Sequence, residues 1–389
     1  MLGFATFAAL LPELRDLWRL SNAEAGLIAS AFFAGYVATV SYWSALTDRA
    51  DGRRVYLTGC LLATVGGVGF GLAADGLASG MFFHVLLGAG VAGTYMPGLR
   101  LLSDRTSGPS QSRHIAFYTS FFGIGTAISL ALAGLLAPAY GWRSAFVVSA
   151  AGPLCAGLAV CFLVERTKIE LKAKSAFSFA ILFPVSSWRK VLADRAAAGY
   201  TLGYVAHCIE LFGSRGWMVA FLAYSAGRQA ANQSFPWNFA AIAAAVNLLA
   251  VPASIFGNEI ALRIGRRQWI QIAMLGSGAA GIVLAFAGAL HWGVVVVLLV
   301  VYSMLVMAES ATLTAGLVAT VPAELRGAAL GLYSLAGFTG GMLGPSLFGL
   351  ALDLAGGKAA GAAWAWAYAA IGAGCIAAPL VVRLFAKAR

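Results

Sequence analysis

Charged residues are scarce in this chain of 389 residues. Asp, Glu, Lys and Arg together make up 11% of the sequence, while 60% of the residues are hydrophobic and the mean hydropathy is +0.83. Soluble globular domains contain roughly 25% charged residues, so this composition excludes a soluble protein and requires lipid around the apolar surface. The net charge of +11 is therefore a topology signal and does not indicate nucleic-acid binding.

Cysteine and histidine are also rare. The five cysteines lie singly in apolar runs without C-x-x-C spacing, which argues against a disulfide framework and against a thiolate metal site. The four histidines are scattered, and the sequence contains neither H-E-x-x-H nor a Walker A loop. We therefore expect no resident metal, no cofactor, no ATP-driven pumping and no enzymatic activity.

Long apolar runs fill most of the chain. A membrane-spanning helix needs about 20 apolar residues, and breaks at charged or Pro/Gly-rich positions predict twelve runs of about that size. Their approximate limits are 1–13, 23–46, 55–74, 78–101, 115–137, 144–164, 197–224, 236–260, 269–289, 293–319, 328–352 and 362–385. The sequence thus predicts an all-α integral membrane protein with two six-helix bundles, residues 1–164 and 197–389, joined by a polar loop at 165–196.

The basic residues predict the orientation of these spans. If the connections alternate between the two sides of the membrane, about 20 of the 26 Lys and Arg residues fall on one side. That side is expected to be cytoplasmic, and it includes the loop at 165–196 and both termini. We expect a multi-pass protein of the cell (inner) membrane that acts as a monomer.

The two halves repeat in sequence. Gly-Arg-Arg at 52–54 recurs at 265–267, and Phe-Tyr-Thr at 117–119 corresponds to Leu-Tyr-Ser at 332–334. Two landmarks with nearly equal offsets predict pseudo-symmetric bundles, a pattern typical of transporters. The same offset places Met1 opposite Ser214, inside the seventh run, so the first span is expected to be truncated. The glycines of the eleventh run predict close helix packing.

A charged loop, Asp-Arg-Ala-Asp-Gly-Arg-Arg at 48–54, follows the second run. Together with the two six-helix halves, it resembles the major facilitator superfamily, whose hallmark there is G-x-x-x-D-R/K-x-G-R/K-R/K. Ser44 replaces the leading glycine, one extra residue separates Arg49 from Gly52, and Leu262 replaces the aspartate in the second copy. The resemblance implies a secondary transporter with this gating motif: Asp48, Arg49, Gly52, Arg53, Arg54, Arg100, Gly265, Arg266 and Arg267.

Within that motif, Asp48 is expected to act as a latch and Arg100 to be its partner. Gly52 is expected to permit a tight reversal of the chain. The alternative is that these charges only anchor the helix ends on the cytoplasmic side.

Charged groups inside the predicted spans are the candidates for transport chemistry. Glu210 and Glu309 are the two acidic residues that fall within spans, and a charge at that depth costs about 2.5 to 3.5 kcal/mol even on the most lenient scale. His207 is three residues from Glu210, so the two side chains are expected to touch and share a proton. Arg215 points away from Glu210 on the helix, so its partner is expected to be Glu309 or a substrate anion.

A polar stripe along the seventh run joins these groups to its neighbours. The resemblance implies that the seventh and tenth helices line the central cavity. The full set of candidate substrate and proton residues is Glu210, His207, Arg215, Glu309, Tyr200, Trp217, Tyr95 and Asn247. An interhelical network that binds no cargo is the alternative interpretation.

The function that follows is proton-coupled transport of a small solute by alternating access, with an organic anion as the first expectation. A drug/proton antiporter is the alternative, because two membrane carboxylates in an apolar lining also suit cationic or neutral drugs. Copper import is a further alternative, because scattered methionines, Cys208 and His207 are side chains that could form a soft copper site. An intramembrane enzyme or a receptor is the alternative outside transport.

Overall fold

We describe a computed structural model of the chain, covering residues 1–47, 49–106, 109–166, 182–229 and 235–386. Over these residues the secondary structure is helical, with no strand. In the first part of the chain the helices are α1 (Thr6–Leu17), α2 (Asn22–Leu46), α3 (Gly52–Ala73), α4 (Leu77–Ser103), α5 (Pro109–Tyr140), α6 (Trp142–Ser149) and α7 (Ala151–Leu163).

Among the described residues of the second part of the chain, eight α-helices have defined bounds. They are α8 (Val185–Ala193), α9 (Arg195–Ala226), α10 (Phe239–Ile264), α11 (Arg266–Phe286), α12 (Trp292–Ala308), α13 (Ser310–Thr320), α14 (Arg326–Leu354) and α15 (Gly361–Ala386). Two short 3₁₀ turns, Ala287–Ala289 and Ala323–Leu325, follow α11 and precede α14.

Each predicted apolar run overlaps a helix. The sixth run is divided into α6 and α7, and the tenth is divided into α12 and α13. Within the described residues, nine helical segments are long and apolar enough to cross a membrane: Asn22–Leu46, Gly52–Ala73, Leu77–Ser103, Phe121–Tyr140, Trp142–Leu163, Phe239–Ile264, Arg266–Ala289, Trp292–Thr320 and Arg326–Leu354. The all-α membrane class is confirmed, and the arrangement of twelve spans in two bundles stays a prediction.

The chain forms two compact units. The first comprises Met1–Thr6 and Ala31–Val185, and the second comprises Phe7–Ser30 and Ser186–Arg389. The boundary predicted at 165–196 overlaps residues 167–181, which lie outside the described part of the chain. The second unit contains most of the candidate transport residues.

Glycines bring α9 and α14 into close contact in the second unit. A Cβ atom on Gly340 would press on the carbonyl of Val205, and one on Gly344 would press on the carbonyl of Ile209. Only hydrogen fits at these points, so the backbones approach at their minimum separation. The predicted glycine packing of the eleventh run is confirmed here, and it fixes the rotation of α9.

A polar network holds the start of α2 against the end of α14 in the second unit. The Asp353 carboxylate accepts hydrogen bonds from Asn22 N (3.2 Å), Asn22 Nδ2 (2.7 Å) and Ala23 N (2.7 Å). Arg15 donates to Asn22 Oδ1 at 3.0 Å, and Lys358 forms an ion pair with Asp16 at 2.6 Å. A carboxylate from α14 thus satisfies the free backbone N–H groups at the N-terminus of α2.

Candidate functional site

The helix in the tenth apolar run is interrupted at Glu309. Helix α12 ends at Ala308 and α13 begins at Ser310. Trp269 of α11 donates its indole N–H to the Ala308 carbonyl at 2.9 Å, so a carbonyl at the break has a partner. The Glu309 side chain lies at this break and is fully buried in the second unit.

Glu309 is paired with His207 from α9. The distance from His207 Nδ1 to Glu309 Oε1 is 3.1 Å, and the two side chains are 1% and 0% exposed. The Tyr204 ring stacks on the imidazole with 5.8 Å between ring centroids. In the described structure the second carboxyl oxygen, Glu309 Oε2, is buried and has no hydrogen-bond partner. The pair is thus a buried acid and base in direct contact, with one oxygen still able to take a proton or a donor.

Glu210 has a different environment. The Ser277 hydroxyl of α11 donates to Glu210 Oε2 at 2.8 Å, and Tyr302 and Cys375 lie beside the carboxyl group. Glu210 and Glu309 are within electrostatic range of each other. The second unit thus contains two buried carboxyl groups, one facing an imidazole and the other facing a hydroxyl.

The expected contact between His207 and Glu210 is corrected by these distances. On α9 the two side chains point toward different neighbouring helices, so His207 reaches Glu309 while Glu210 reaches Ser277 of α11. Residues three apart on a helix are able to touch, but a stronger partner on a facing helix draws each one away. The sequence pattern contains no information on those facing residues.

Arg215 is half-buried on α9. Its Nη2 donates to the Met307 sulfur at 3.3 Å, and within the described residues no carboxylate lies within ion-pair distance of it. The expected pairing of Arg215 with Glu309 is therefore wrong, because Glu309 is bound to His207. Arg215 does lie within electrostatic range of His207. A thioether is a weak acceptor, so the guanidinium keeps the capacity to bind an anion.

The other predicted residues have packing contacts. Trp217 donates to the Pro345 carbonyl at 2.9 Å and stacks on Phe348. Tyr200 packs against Gly316. Asn247 donates to the Ala243 carbonyl at 2.8 Å and lies 3.8 Å from the Met218 sulfur. Tyr95 is in the first unit, where its carbonyl accepts from the Tyr118 hydroxyl at 2.8 Å. The structure thus brings together His207, Glu309, Glu210 and Arg215, and these form the candidate site.

Sequence reasoning missed two residues of the site. Tyr204 lies three residues before His207, beside the polar stripe of α9, and this spacing is the signal that could have identified it. Ser277 lies in a run of glycine, alanine and leucine, where a single hydroxyl is common and usually bonds its own helix. Only the fold shows that it faces a carboxylate.

Metal ligation was an open alternative. Among the described residues, no group of three or more His, Cys, Asp and Glu side chains is close enough to hold a metal ion. Two methionines have other partners: the Met307 sulfur accepts from Arg215, and the Met218 sulfur lies 3.8 Å from Asn247 Nδ2.

In the charged loop after α2, side chains satisfy helix ends. Asp51 accepts from Arg53 N at 3.1 Å and caps α3, while the Arg53 guanidinium donates to the Cys161 carbonyl near the end of α7. Arg100 contacts the Thr47 hydroxyl at 3.2 Å and Asp104 at 3.6 Å. Asp48 lies outside the described residues, so its latch role stays a prediction.

The two glycines of the repeated motif have different roles. Gly265 precedes α11 with φ +98°, a conformation that favours glycine, whereas Gly52 is the first residue of α3 and does not have a positive φ. A Cβ on Gly52 would meet the Leu101 side chain at 3.0 Å. The expected tight reversal at Gly52 is therefore wrong: close packing against α4 explains the glycine. Arg266 and Arg267 form the first turn of α11.

Comparisons with known proteins place this geometry in a family. The sequence profile of the Major Facilitator Superfamily matches residues 1–345. The chain is 22% identical to Multidrug resistance protein 2 of Bacillus subtilis (strain 168) over 358 residues, covering 91% of this chain and 86% of that protein. It is 26% identical to the Niacin transporter NiaP of Acinetobacter baylyi (strain ATCC 33305 / BD413 / ADP1) over 131 residues, covering 34% of this chain and 30% of that protein.

Among solved structures, the fold is similar to that of a bacterial homologue of the human lysosomal transporter Spinster in its inward-facing conformation. The TM-score is 0.74 at 16% identity, over 99% of this chain and 93% of that one. Since the family profile covers most of the chain and the fold agrees over nearly all of it, the protein belongs to the major facilitator superfamily and is a membrane transporter.

Proposed function

We propose that the protein is a proton-coupled secondary transporter of a small organic anion, working by alternating access. The observation that carries the proposal is the division of charges in the second unit. Glu309 is bound to His207, and Arg215 on the same helix as His207 has no carboxylate partner among the described residues. A cation in a membrane interior needs a counter-ion, and a substrate carboxylate would supply it with two parallel hydrogen bonds.

The proposed coupling is symport, because of the signs of the charges. An extra proton on the His207–Glu309 pair makes that pair more positive, and an anion bound at Arg215 lies within electrostatic range of it. Each ligand therefore increases the affinity for the other, as binding linkage requires. Glu210 is the proposed second proton carrier, since it is buried near Glu309 and holds one serine hydrogen bond.

The proposed topology rests on the distribution of basic residues. About 20 of 26 lie on the side of the 165–196 loop, which supports cytoplasmic termini in an inner-membrane protein with two six-helix bundles. Asp48 is proposed to latch the cytoplasmic helix ends in one conformation, working with the arginines of its loop. We expect a monomer, since the proposed site lies wholly within one chain.

One relative supports the substrate class. Niacin, the cargo named for the Acinetobacter relative, is a small aromatic monocarboxylate at neutral pH, and a bidentate arginine contact suits that group. The match covers 30% of that relative, so it supports a class of ligand and not a particular compound.

The direction of proton movement tests the proposal. Purified protein in liposomes with an internal pH indicator is given an inward gradient of nicotinate at zero membrane potential. Symport predicts acidification of the lumen above the rate in protein-free liposomes and in Arg215→Ala liposomes. Alkalinisation of the lumen, or a rate equal to both controls with every carboxylate in a panel, contradicts anion symport.

Drug/proton antiport is the second candidate. It is favoured by the name of the Bacillus relative, which matches 91% of this chain. A cationic drug would compete with the coupling proton for Glu309 and Glu210, so drug and proton would move in opposite directions. An inward gradient of ethidium would then alkalinise the lumen, and Arg215→Ala would leave that rate unchanged or raise it.

A further inference from the structure

The short helix α8, which precedes α9, has a face that is exposed at the surface of the second unit. Helix α8 has nine residues, VSSWRKVLA, and only Asp194 separates it from α9. Val191 is its one buried residue, and it packs in a core cluster with Leu317, Val321 and Ala329. Those contacts fix α8 at the level where α13 ends and α14 begins.

The other faces of α8 differ in character around the helix. Leu192 is 46% exposed, Trp188 is half-buried, and Arg189 and Lys190 are exposed. At about 100° per residue, the Leu192 edge lies between the Val191 side and the Arg189 side. The helix thus presents a core face, an apolar edge and a basic face in sequence, which is the pattern of a helix at a membrane surface.

The basic face of α8 consists of Arg189 and Lys190. Within the described residues, neither Arg189 nor Lys190 forms an ion pair. The adjacent Asp194 carboxylate accepts from Ala197 N at 2.9 Å and caps α9. Glu324 is exposed at the same end of the unit, in the turn before α14, and is not paired with either cation.

The position of α8 favours a lipid as the ligand of its basic face. It lies at the end of helices that cross the membrane, with the basic face away from the core and an exposed leucine edge beside it. Lipid headgroups occur at this level, and a soluble anion would leave Leu192 and the Trp188 edge in water.

We propose that α8 binds anionic phospholipid, with Arg189 and Lys190 on the headgroup phosphate and Leu192 at the acyl boundary. Because Asp194 connects α8 directly to α9, the bound lipid fixes the end of the helix that carries His207, Glu210 and Arg215. Each basic residue near an anionic surface contributes an approximately fivefold gain in affinity.

The test counts retained lipids on the full-length protein by native mass spectrometry, after purification from mixed phosphatidylglycerol and phosphatidylcholine. One variant carries Arg189→Gln and Lys190→Gln. The matched control carries Arg19→Gln and Arg228→Gln, which removes the same charge from exposed positions at the opposite end of the same unit. Melting temperatures in detergent establish that both variants fold.

The expected result is a loss of phosphatidylglycerol affinity of about tenfold or more in the α8 variant and less than twofold in the control, with phosphatidylcholine unaffected. Inorganic phosphate at millimolar concentration is expected not to displace the lipid. Equal losses in both variants, an unchanged α8 variant, or full displacement by phosphate would overturn the proposal.

Discussion

The two units differ most in the chemistry of their helix interiors. Helices α3 to α7 of the first unit contain no Asp or Glu. Their buried histidine, His84, packs against the Phe70 ring, and the Tyr118 hydroxyl donates to the Tyr95 carbonyl. The second unit buries Glu210, Glu309 and His207 and half-buries Arg215. Tyrosine contacts cost little to bury, whereas buried charges are kept against a penalty.

This difference indicates a division of work between the two units. A side chain that exchanges a proton is needed for coupling, and the second unit has a cluster of two buried carboxyl groups and one buried imidazole. The first unit has ring surfaces suited to packing or to contact with an apolar part of the substrate. Substitutions that separate coupling from stability test whether the division is real.

The largest effect is expected at Glu309. Glu309→Gln keeps the shape but removes the titrating oxygen, so proton-driven accumulation should fall by about 100-fold or more, while substrate exchange at equal pH continues. Uptake with and without a pH gradient measures this. Tyr36→Phe, a similar small change at a buried position in the first unit, is the control and should retain the gradient response. Equal losses in Glu309→Gln and Tyr36→Phe would contradict the division of work between the two units.

Arg215 is expected to give the next largest effect. Arg215→Lys keeps the charge but loses the bidentate fork, so affinity for an anionic substrate should weaken about tenfold, equivalent to about 1.4 kcal/mol. Competition binding measures it, with Arg228→Lys just beyond the same helix as the control. Arg228 is exposed and lies over the Tyr224 ring, and its substitution should leave affinity within twofold. An unaltered affinity in Arg215→Lys would remove the proposed contact.

The Asp353→Ala variant should distinguish carboxylates that stabilise the fold from carboxylates that couple transport to protons. Its carboxylate accepts three hydrogen bonds from the start of α2, so Asp353→Ala should destabilise the protein by about 2 kcal/mol and lower its melting temperature. Asp104→Ala removes an exposed contact with Arg100 at 3.6 Å and should cost less than about 0.5 kcal/mol. If Asp353→Ala changed the proton-to-substrate ratio of the surviving transport, the separation would be wrong.

The smallest effect is expected in the first unit. Tyr118→Phe removes the hydroxyl that donates to the Tyr95 carbonyl at 2.8 Å and reaches the Thr94 carbonyl at 3.2 Å. It should cost about 1 kcal/mol of stability without changing the pH dependence of transport. Thermal unfolding and uptake at several pH values measure both quantities. A shifted pH profile would place a coupling group in the first unit.

Part of the candidate site was predictable because charged residues are scarce in the sequence. With 15 acidic residues in 389, two carboxylates inside apolar runs were conspicuous. Helix periodicity placed His207 near Glu210 on α9, although the two side chains reach different neighbouring helices. Glycines of the eleventh run predicted the close approach of α9 and α14, since a missing side chain is itself the geometric signal.

The partners were not predictable, because they depend on which helices face each other. Glu309 lies 102 positions from His207, and nothing local to either residue points to the other. The interruption of the tenth run at Glu309 was also missed, since the surrounding residues form one continuous apolar stretch. Gly52 was misread for a similar reason: whether a glycine serves a turn or a contact depends on Leu101, about 50 residues away.

The most direct test of the central claim is the number of protons taken up when an anion binds to the purified protein. The anion is the one from a carboxylate panel that raises the melting temperature most, and it is mixed with protein in weakly buffered detergent solution with a pH indicator. The account predicts net proton uptake by the wild type and none by Glu309→Gln, with Tyr36→Phe behaving as the wild type. Proton release by the wild type, uptake undiminished in Glu309→Gln, or no stabilising carboxylate in the panel would contradict it.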